Sequence, residues 1–247
     1  MNLKGKRIIV TGAATGIGRA TAIRVAKEGA RVAAFDINDA EAEKTLATIG
    51  EAGGSAKFWH VDVIDEAQVK SRVADAVKWL GGGPDVLIHL AGVLQGPHVE
   101  ITEFTEETWD RVIDINMKGT FLMSKHVAGY MQKANKGVII ITASGAGVSG
   151  GSSSFAYGAS KGGVHGLGMV MAGHLADKGI RVNDVAPGSL ATPLKIGQVE
   201  ESYRRTGDRA AYEAAMKSLL PPEGVASVMA FLASDDADYV RGTVFTR

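Results

Sequence analysis

Residues 7–18 read RIIVTGAATGIG, an apolar run followed by a glycine-rich turn. Because Gly12, Gly16 and Gly18 carry no Cβ, the backbone at this turn is able to approach a pyrophosphate closely. The residues after the turn have helical spacing, and the N–H groups at a helix N-terminus attract an anion. This order of strand, turn and helix predicts a dinucleotide phosphate site. The spacing G-x-x-x-G-x-G differs from the commoner G-x-G-x-x-G, so an ordinary strand-to-helix turn stays open as the alternative.

A second apolar run, residues 31–35, ends at Asp36. In a strand–helix–strand unit, an acidic side chain at this point accepts hydrogen bonds from the adenosine ribose hydroxyls and repels a 2′-phosphate. No Arg or Lys occurs at positions 37–39, and Thr15 occupies the turn where a basic residue would hold an extra phosphate. The pattern predicts NAD in preference to NADP. The alternative, that Asp36 only caps the next helix, is weaker because residues 38 and 39 are suited to that role.

The composition limits the classes of function. Among the 247 residues, Lys+Arg and Asp+Glu both count 27, so the formal net charge is zero. This balance gives no sign of a nucleic-acid-binding surface or of a polybasic membrane patch. The sequence has no cysteine, which excludes disulfides and thiolate metal sites. The first predicted strand begins almost at once, and no apolar run approaches membrane-spanning length. We therefore expect a cytoplasmic protein that binds neither nucleic acid nor membrane.

Short apolar runs alternate with segments of helical spacing along the whole chain. Near-continuous apolar strands are typical of a sheet that is covered on both faces. Strand–helix alternation implies parallel strands with right-handed crossovers. We expect one α/β domain over residues 1–247, a doubly wound, Rossmann-type sheet of seven parallel strands with helices on both faces. The predicted strands are 7–11, 31–35, 56–61, 85–90, 137–142, 180–185 and 243–246, and the predicted helices are 16–29, 39–52, 65–80, 105–134, 155–178 and 223–234.

Ligands of such sheets bind at the carboxyl ends of the strands, so the residues directly after each strand are the first candidates. Asp62, after the third strand, is a candidate for the adenine edge. Its alternative role, as a turn or N-cap carboxylate, is equally consistent with the sequence. The candidates at the strand ends are Gly12, Asp36, Asp62, Val63, Ala91, Gly92, Ser144, Pro187 and Gly188.

Tyr157 and Lys161 stand four residues apart in the predicted helix 155–178, which places both side chains on one face. A phenol is a poor base at neutral pH, and a neighbouring ammonium group lowers its pKa. We therefore predict that Tyr157 exchanges a proton with a substrate hydroxyl or carbonyl while a hydride moves to or from nicotinamide. A Tyr and a Lys at this spacing also occur by chance, so the pair needs support from its surroundings.

Two further polar residues give that support. Ser144 follows the predicted strand 137–142 and precedes Tyr157, and a hydroxyl there is suited to hydrogen-bond a substrate oxygen whose charge changes. Asn116 lies among apolar residues of the predicted helix 105–134. Because buried polar groups need partners, a purely structural role for Asn116 is an equal alternative. The loop serines Ser149, Ser152, Ser153 and Ser154 compete with Ser144 by residue type but not by position.

Taken together, these motifs resemble the short-chain dehydrogenase/reductase family, in its compact single-domain NAD(P)-dependent branch. The resemblance covers essentially the whole chain, because the glycine turn, the Tyr157-x-x-x-Lys161 pair and residues 181–192 follow the family's order and spacing. It implies a catalytic tetrad of Asn116, Ser144, Tyr157 and Lys161. In that tetrad Lys161 also holds the nicotinamide ribose, and Asn116 anchors a water in a proton relay. The cofactor-binding residues that it implies are Gly12, Thr15, Gly16, Ile17, Gly18, Asp36, Ile37, Asp62, Val63, Ala91, Gly92, Tyr157, Lys161, Pro187, Gly188, Leu190 and Thr192, with Leu190 and Thr192 at the carboxamide.

The sequence departs from the family pattern at three places. His89-Leu90-Ala91-Gly92 stands where the family usually has Asn-Asn-Ala-Gly, whose side chains brace the sheet. The usual Gly-Arg turn before residues 221–223 is shortened, and the sequence stops at Arg247, before the Asp-Gly-Gly that usually follows the last strand. These departures bear on stability, cofactor fit and one subunit contact more than on the chemistry.

Residues 193–222 occupy the position of a substrate lid. Apolar residues between 210 and 220 recur at helical spacing, which predicts an amphipathic lid helix that either covers a substrate or packs on the domain. Arg204 and Arg205 are candidates for attracting an anionic substrate, but nearby acids favour a solvated face. The histidines show no ligand spacing, so we expect no catalytic metal.

The leading interpretation is an NAD-dependent oxidoreductase that acts on a secondary alcohol or ketone. One alternative is an NADPH-dependent 3-oxoacyl-carrier-protein reductase, against which Asp36 and Thr15 argue. Another is a catalytically silent nucleotide-binding protein on the same fold, since fold alone does not decide function. The resemblance also implies a homodimer or homotetramer built on helices 105–134 and 155–178. The small and apolar residues between 163 and 171, in the second of these helices, would let two helices approach closely.

Overall fold

A computed structural model describes residues 2–247 and contains seven β-strands in one parallel sheet. The sheet has the order β3-β2-β1-β4-β5-β6-β7, as expected for a doubly wound fold. Each strand lies within one or two residues of its predicted position. The strands are β1 (Arg7–Thr11), β2 (Arg31–Asp36), β3 (Ser55–His60), β4 (Val86–His89), β5 (Gly137–Thr142), β6 (Ile180–Ala186) and β7 (Gly242–Phe245).

Helices cover both faces of the sheet. Ile8 and Val10 are fully buried on one face, and Ile9 between them is fully buried on the other. This explains why the strands read as continuous apolar runs. The helices are α1 (Gly16–Lys27), α2 (Asp39–Glu51), α3 (Glu66–Leu80), α4 (Glu106–Ile113), α5 (Gly119–Ala134), α6 (Phe155–Leu175), α7 (Pro193–Thr206), α8 (Arg209–Ser218) and α9 (Glu223–Ala233).

The order of the strands creates a crevice beside β1. The chain leaves β1 toward β2 and β3 on one side, and then returns to β4, β5, β6 and β7 on the other. Ile8 pairs with Val32 of β2 and with Val86 of β4, so β1 lies between the two halves. At this reversal the loops after β1 and β4 turn away in opposite directions and leave room for a ligand.

The predicted helix 105–134 is interrupted. Residues Asp114–Lys118 between α4 and α5 form a π-helical turn, in which hydrogen bonds join residues five apart and not four apart as in an α-helix. The hydroxyl of Thr120 donates a hydrogen bond of 2.5 Å to the carbonyl oxygen of Asn116 inside this turn. Hydrophobic spacing does not resolve such a local widening, because the segments on either side keep the helical period.

The segment 193–222 contains two helices, where the sequence predicted one. Gly207 ends α7 with a positive φ of 67°, and Asp208 caps α8 by accepting a hydrogen bond from the Ala211 N–H. The prediction that the helix extends to Leu220 is wrong. Leu220 instead pairs with the chain at residues 189–191, and the proline that follows it disfavours helical backbone.

Candidate active site

The crevice is a cleft of about 590 Å³ at the carboxyl ends of the strands. All the residues predicted to bind a cofactor line it, from Gly12 in the turn after β1 to Thr192 before α7. Ser144, Tyr157 and Lys161 line it as well. The tertiary structure therefore brings the glycine turn and three of the four predicted catalytic residues into one cavity.

The glycine turn has the shape that a pyrophosphate requires. Gly12 has a positive φ of 65°, and a Cβ there would lie 2.9 Å from the Ala91 nitrogen. A Cβ on Gly18 would lie 1.8 Å from the carbonyl oxygen of Gly12, so only glycine fits. Thr15 is the N-cap of α1, its side chain makes no capping bond, and the first turn of α1 has no acidic residue. The N–H groups at the start of α1 are therefore available to an anion, and the turn fits a dinucleotide.

Asp36 ties the end of β2 to the glycine turn. Its Oδ2 accepts a hydrogen bond of 2.9 Å from the Ala14 N–H, and its Oδ1 accepts bonds from the N–H groups of Ile37 and Asn38. The N-cap of α2 is Asn38, which accepts from the Glu41 N–H. Asp36 is therefore not the cap of the next helix, and its carboxylate lies at the wall of the cleft.

Asp62 occupies the corresponding place after β3. Its Oδ1 accepts a bond of 3.2 Å from the Ile64 N–H, while Asp65 caps α3 by accepting from the Gln68 N–H. The carboxylate of Asp62 thus makes a turn rather than a helix cap, and it lines the cleft beside Val63.

His89 replaces the expected asparagine without leaving the sheet unbraced. The Thr11 hydroxyl accepts bonds of 3.1 Å from the N–H groups of Leu90 and Ala91, so its own proton is free for His89 Nδ1 at 2.9 Å. Burial, together with the positive charge of Lys161, lowers the pKa of His89 to about 3. The imidazole is therefore neutral with its proton on Nε2, which has no partner within residues 2–247.

Ser144 and Tyr157 form a hydrogen-bonded pair over the cleft. Tyr157 lies in the first turn of α6, whose N-cap Ser154 accepts a bond from the Tyr157 N–H. Desolvation raises the pKa of the phenol, and the hydrogen bond from the Ser144 hydroxyl opposes that rise. The two hydroxyl groups thus face one point where a substrate oxygen can be placed.

Lys161 lies one turn after Tyr157, with its Nζ 5.7 Å from the centre of the phenol ring. Its ammonium group donates a bond of 2.7 Å to the carbonyl oxygen of Thr142, not to the phenol oxygen. Burial lowers the pKa of Lys161 to about 8. The pKa of Tyr157 is raised and not lowered as the sequence predicted, because desolvation is the largest effect on the phenol.

Asn116 is fully buried, does not line the cleft and positions its neighbours. Its amide nitrogen donates bonds to the Val93 carbonyl at 2.9 Å and to the Ser160 hydroxyl at 3.0 Å. Its Oδ1 accepts a bond of 2.8 Å from the Val93 N–H. Both amide protons are used, so the side chain joins the loop after β4 to α6. A proton relay through this residue stays a prediction.

The cleft also contains residues that the sequence analysis missed. Lys195 and Gln198 of α7 and Arg111 of α4 line it, whereas Arg204 and Arg205 do not. Lys195 and Gln198 follow Thr192 by one and two helical turns, and that spacing was a usable signal. Within residues 2–247 no group of three or more histidine, aspartate or glutamate side chains is placed to hold a metal ion.

Comparison with known proteins gives the family. A model described as short chain dehydrogenase matches residues 6–202. The uncharacterized oxidoreductase YxbG of Bacillus subtilis is 40% identical over 250 residues, which cover 99% of this chain and 90% of that protein. The 3-oxoacyl-(acyl-carrier-protein) reductase FabG of Thermotoga maritima is 36% identical over 244 residues, with coverage of 99% and 96%. The chain belongs to the short-chain dehydrogenase/reductase family, whose members are oxidoreductases that bind nicotinamide cofactors.

Solved structures agree with this assignment. A levodione reductase has a TM-score of 0.91 at 32% identity, with 98% of this chain and 96% of that chain covered. A carveol dehydrogenase from Mycobacterium avium, solved in complex with NAD, has a TM-score of 0.90 at 26% identity and coverage of 99% and 97%. Within residues 2–247, no helix is both long and apolar enough to span a membrane.

Proposed function

We propose that this protein is an NAD-dependent oxidoreductase that transfers a hydride between nicotinamide and a secondary alcohol or ketone. The observation that carries the proposal is the position of Ser144, Tyr157 and Lys161 in the same cleft as the glycine turn. Residues placed for proton transfer and a turn shaped for a dinucleotide are together what a hydride-transferring enzyme requires. A bound nicotinamide would supply or accept the hydride.

The side chains define the path of the proton. During ketone reduction, the substrate oxygen accepts hydrogen bonds from Ser144 and Tyr157, and the phenol gives up its proton as the oxygen becomes an alkoxide. The raised pKa of Tyr157 keeps the phenol protonated at neutral pH, which suits an acid. The buried ammonium group of Lys161 then stabilises the phenolate that is left. Alcohol oxidation uses the same contacts in reverse.

The preference for NAD rests on the charges around Asp36. A 2′-phosphate placed beside this carboxylate would be repelled across a partly desolvated cleft. Arg19 is a nearby cation, and its guanidinium is bonded to the carbonyl oxygen of Ala14 and to the carboxylate of Glu41. In the described part of the chain, no unbonded basic side chain lies beside Asp36 to attract a 2′-phosphate. This disfavours the NADPH-dependent alternative.

The segment 193–222 is proposed as the lid of the substrate site, with only its first helix, α7, in contact with the cleft. Leu194, Lys195 and Gln198 of α7 line the cleft, whereas no residue of α8 does. The ring of Tyr212 in α8 packs against Tyr203 of α7, with 5.1 Å between their centres. Helix α7 therefore covers the site, and α8 supports α7 from outside.

A cofactor and substrate screen tests the proposal. NADH fluorescence is followed over a panel of alcohols and ketones with NAD and NADP in parallel, and we expect NAD to bind at least about tenfold more tightly. The double variant Asp36→Ala, Ile37→Arg should shift the preference toward NADP, and Ile37→Arg alone, at a position 59% exposed, is the matched control. Equal affinity of the native protein for both cofactors would contradict the assignment.

The chemistry is tested by Tyr157→Phe, which removes one hydroxyl group. Turnover should fall by about 10²–10⁴-fold while NADH binding is kept. Ser144→Ala should lower turnover by roughly 10²–10³-fold. Full activity of Tyr157→Phe on a substrate of the native protein would place the proton path elsewhere. NADH binding without turnover anywhere on the panel would favour the silent nucleotide-binding alternative.

A further inference from the structure

Lys195 is held in a fixed position on the lid side of the cleft. It lies in the first turn of α7, and its Nζ donates a bond of 2.7 Å to Oε1 of Gln198. Gln198 in turn donates from Nε2 to the hydroxyl of Ser153 at 3.0 Å. Ser153 belongs to the loop between β5 and α6 that also carries Ser144. The three residues therefore span the cleft and direct the ammonium group toward the catalytic side.

The ammonium group of Lys195 is hydrogen-bonded to an uncharged side chain. Within residues 2–247 no carboxylate forms an ion pair with it, and its one bond goes to a neutral amide. The acidic residues that line the cleft are Asp36 and Asp62, at the ends of β2 and β3. Lys195 is half-buried, and the loss of water lowers its pKa. A partly desolvated cation without a counter-charge is costly, and an anionic ligand would recover that cost.

The cofactor's pyrophosphate is a second possible source of the anion, and the geometry disfavours it. The phosphate turn already offers the N–H groups of α1. Gly16 faces the Thr192 side chain, since a Cβ there would lie 3.2 Å from Thr192 Cβ. Lys195 lies three residues further along, and its partners lead away from that turn to Ser153. Through Gln198 the ammonium group is tied to the loop that carries Ser144, which is the substrate side of the cleft in the proposed function.

We propose that the substrate carries a carboxylate group away from its reacting carbon, and that Lys195 binds this carboxylate. The enzyme would then act on oxo acids and the matching hydroxy acids. The inference rests on the proposed function and adds the substrate class. A charge-assisted hydrogen bond to a carboxylate is about twice as strong as one between neutral groups, so such a contact favours an acid over an uncharged analogue.

The test uses binding to the full-length protein loaded with NADH. The ligands are straight-chain oxo acids of increasing length and the matching oxo amides, and binding is followed by NADH fluorescence with Tyr157→Phe as background to prevent turnover. We expect the best acid to bind about tenfold or more tightly than its amide. Lys195→Met should abolish this preference, Lys195→Arg should keep most of it, and Lys217→Met, at an exposed lysine of α8, should behave like the parent.

Each other outcome has a definite meaning. If the Tyr157→Phe background binds acid and amide equally, or if Lys195→Met in that background keeps the preference for the acid, the inference is overturned while the proposed function stands. If Lys195→Met weakens NADH binding itself by a similar factor, the ammonium group serves the cofactor and the inference is also overturned. Failure of the native protein to bind NADH would instead contradict the proposed function, and this inference with it.

Discussion

Lys161 donates its hydrogen bond to the backbone carbonyl of Thr142, at 2.7 Å, although the phenol of Tyr157 lies directly beside it. The bond fixes the ammonium group at the carboxyl end of β5, where it is only 6% exposed. Burial lowers its pKa from 10.5 to about 8, so the folded protein stabilises the charged form less than water does. The site therefore holds a cation at a cost in folding free energy.

Lys161→Met should make the protein more stable and nearly inactive. Between pH 8 and 10.5 the unfolded chain keeps the Lys161 proton that the folded chain has lost, so the free energy of unfolding rises with pH through this range. Below pH 8 both states are protonated, and the free energy of unfolding is lowered by the whole cost of burying the charge. Removing the charge should add about 1–3 kcal/mol to the free energy of unfolding at neutral pH, after the lost bond to Thr142 is subtracted.

Urea unfolding of the native protein and of Lys161→Met, at neutral pH and near pH 10, measures this effect. The difference in the free energy of unfolding between Lys161→Met and the native protein should be smaller near pH 10. Lys70→Met, at an exposed position of α3, is the control and should change little. A variant that is less stable than the native protein at both pH values would contradict the prediction.

His89 should make the protein sensitive to mild acid. Its pKa falls from 6.5 in the unfolded chain to about 3 in the folded one, so below pH 6.5 the unfolded state binds a proton that the folded state does not. Stability is therefore lost as the pH falls, by about 1.4 kcal/mol per pH unit for this one group. His89→Asn should lack this contribution.

Denaturant unfolding of both proteins near pH 7.5 and pH 5 tests the role of His89. All other groups titrate alike in the two proteins, so their contributions cancel in the comparison. From pH 7.5 to pH 5 the free energy of unfolding of the native protein should fall by about 2 kcal/mol more than that of His89→Asn. An unchanged difference between the two proteins would mean that the imidazole is not desolvated.

Gly18→Ala should disrupt the phosphate turn. Its Cβ would lie 1.8 Å from the carbonyl oxygen of Gly12, and backbone cannot give way there without moving the turn. We expect a loss of NADH affinity together with a lower Tm. The matched control is Gly50→Ala in α2, where a Cβ meets nothing within 4 Å, and it should stabilise by about 0.5–1 kcal/mol. NADH binding at native affinity by Gly18→Ala would contradict the role given to this turn.

The protein should form a dimer or a tetramer through α5 and α6. Phe121 on α5 is 48% exposed, and Met169 and Val170 on α6 are 59% and 58% exposed, so both helices present apolar side chains that a second copy of the chain could cover. The double variant Phe121→Glu, Met169→Glu should shift light scattering toward a monomer. Ile101→Glu, outside both helices at an exposed apolar position, is the control. A native monomer at micromolar concentration would contradict this prediction.

The sequence alone predicted the order of the strands and helices, because the apolar runs of strands and the helical spacing of apolar residues are both patterns of nearby residues. A strand buried on both faces must be apolar throughout, as Ile8, Ile9 and Val10 are, and the glycine at 18 is required by its close contact with Gly12, six residues before it. The four-residue spacing of Tyr157 and Lys161 likewise fixes one helix face. These features follow from the neighbours of each residue along the chain.

The tertiary structure decided what depends on distant partners. The direction of the Lys161 bond, the neutral state of His89 beside Thr11, and the full use of the Asn116 amide each join segments far apart in sequence. The same holds for Lys195, which the sequence analysis did not identify and which the fold places in the cleft, one hydrogen-bonded residue away from Ser153. Desolvation and hydrogen-bond direction are set by the surrounding atoms, and those atoms come together only when the chain has folded.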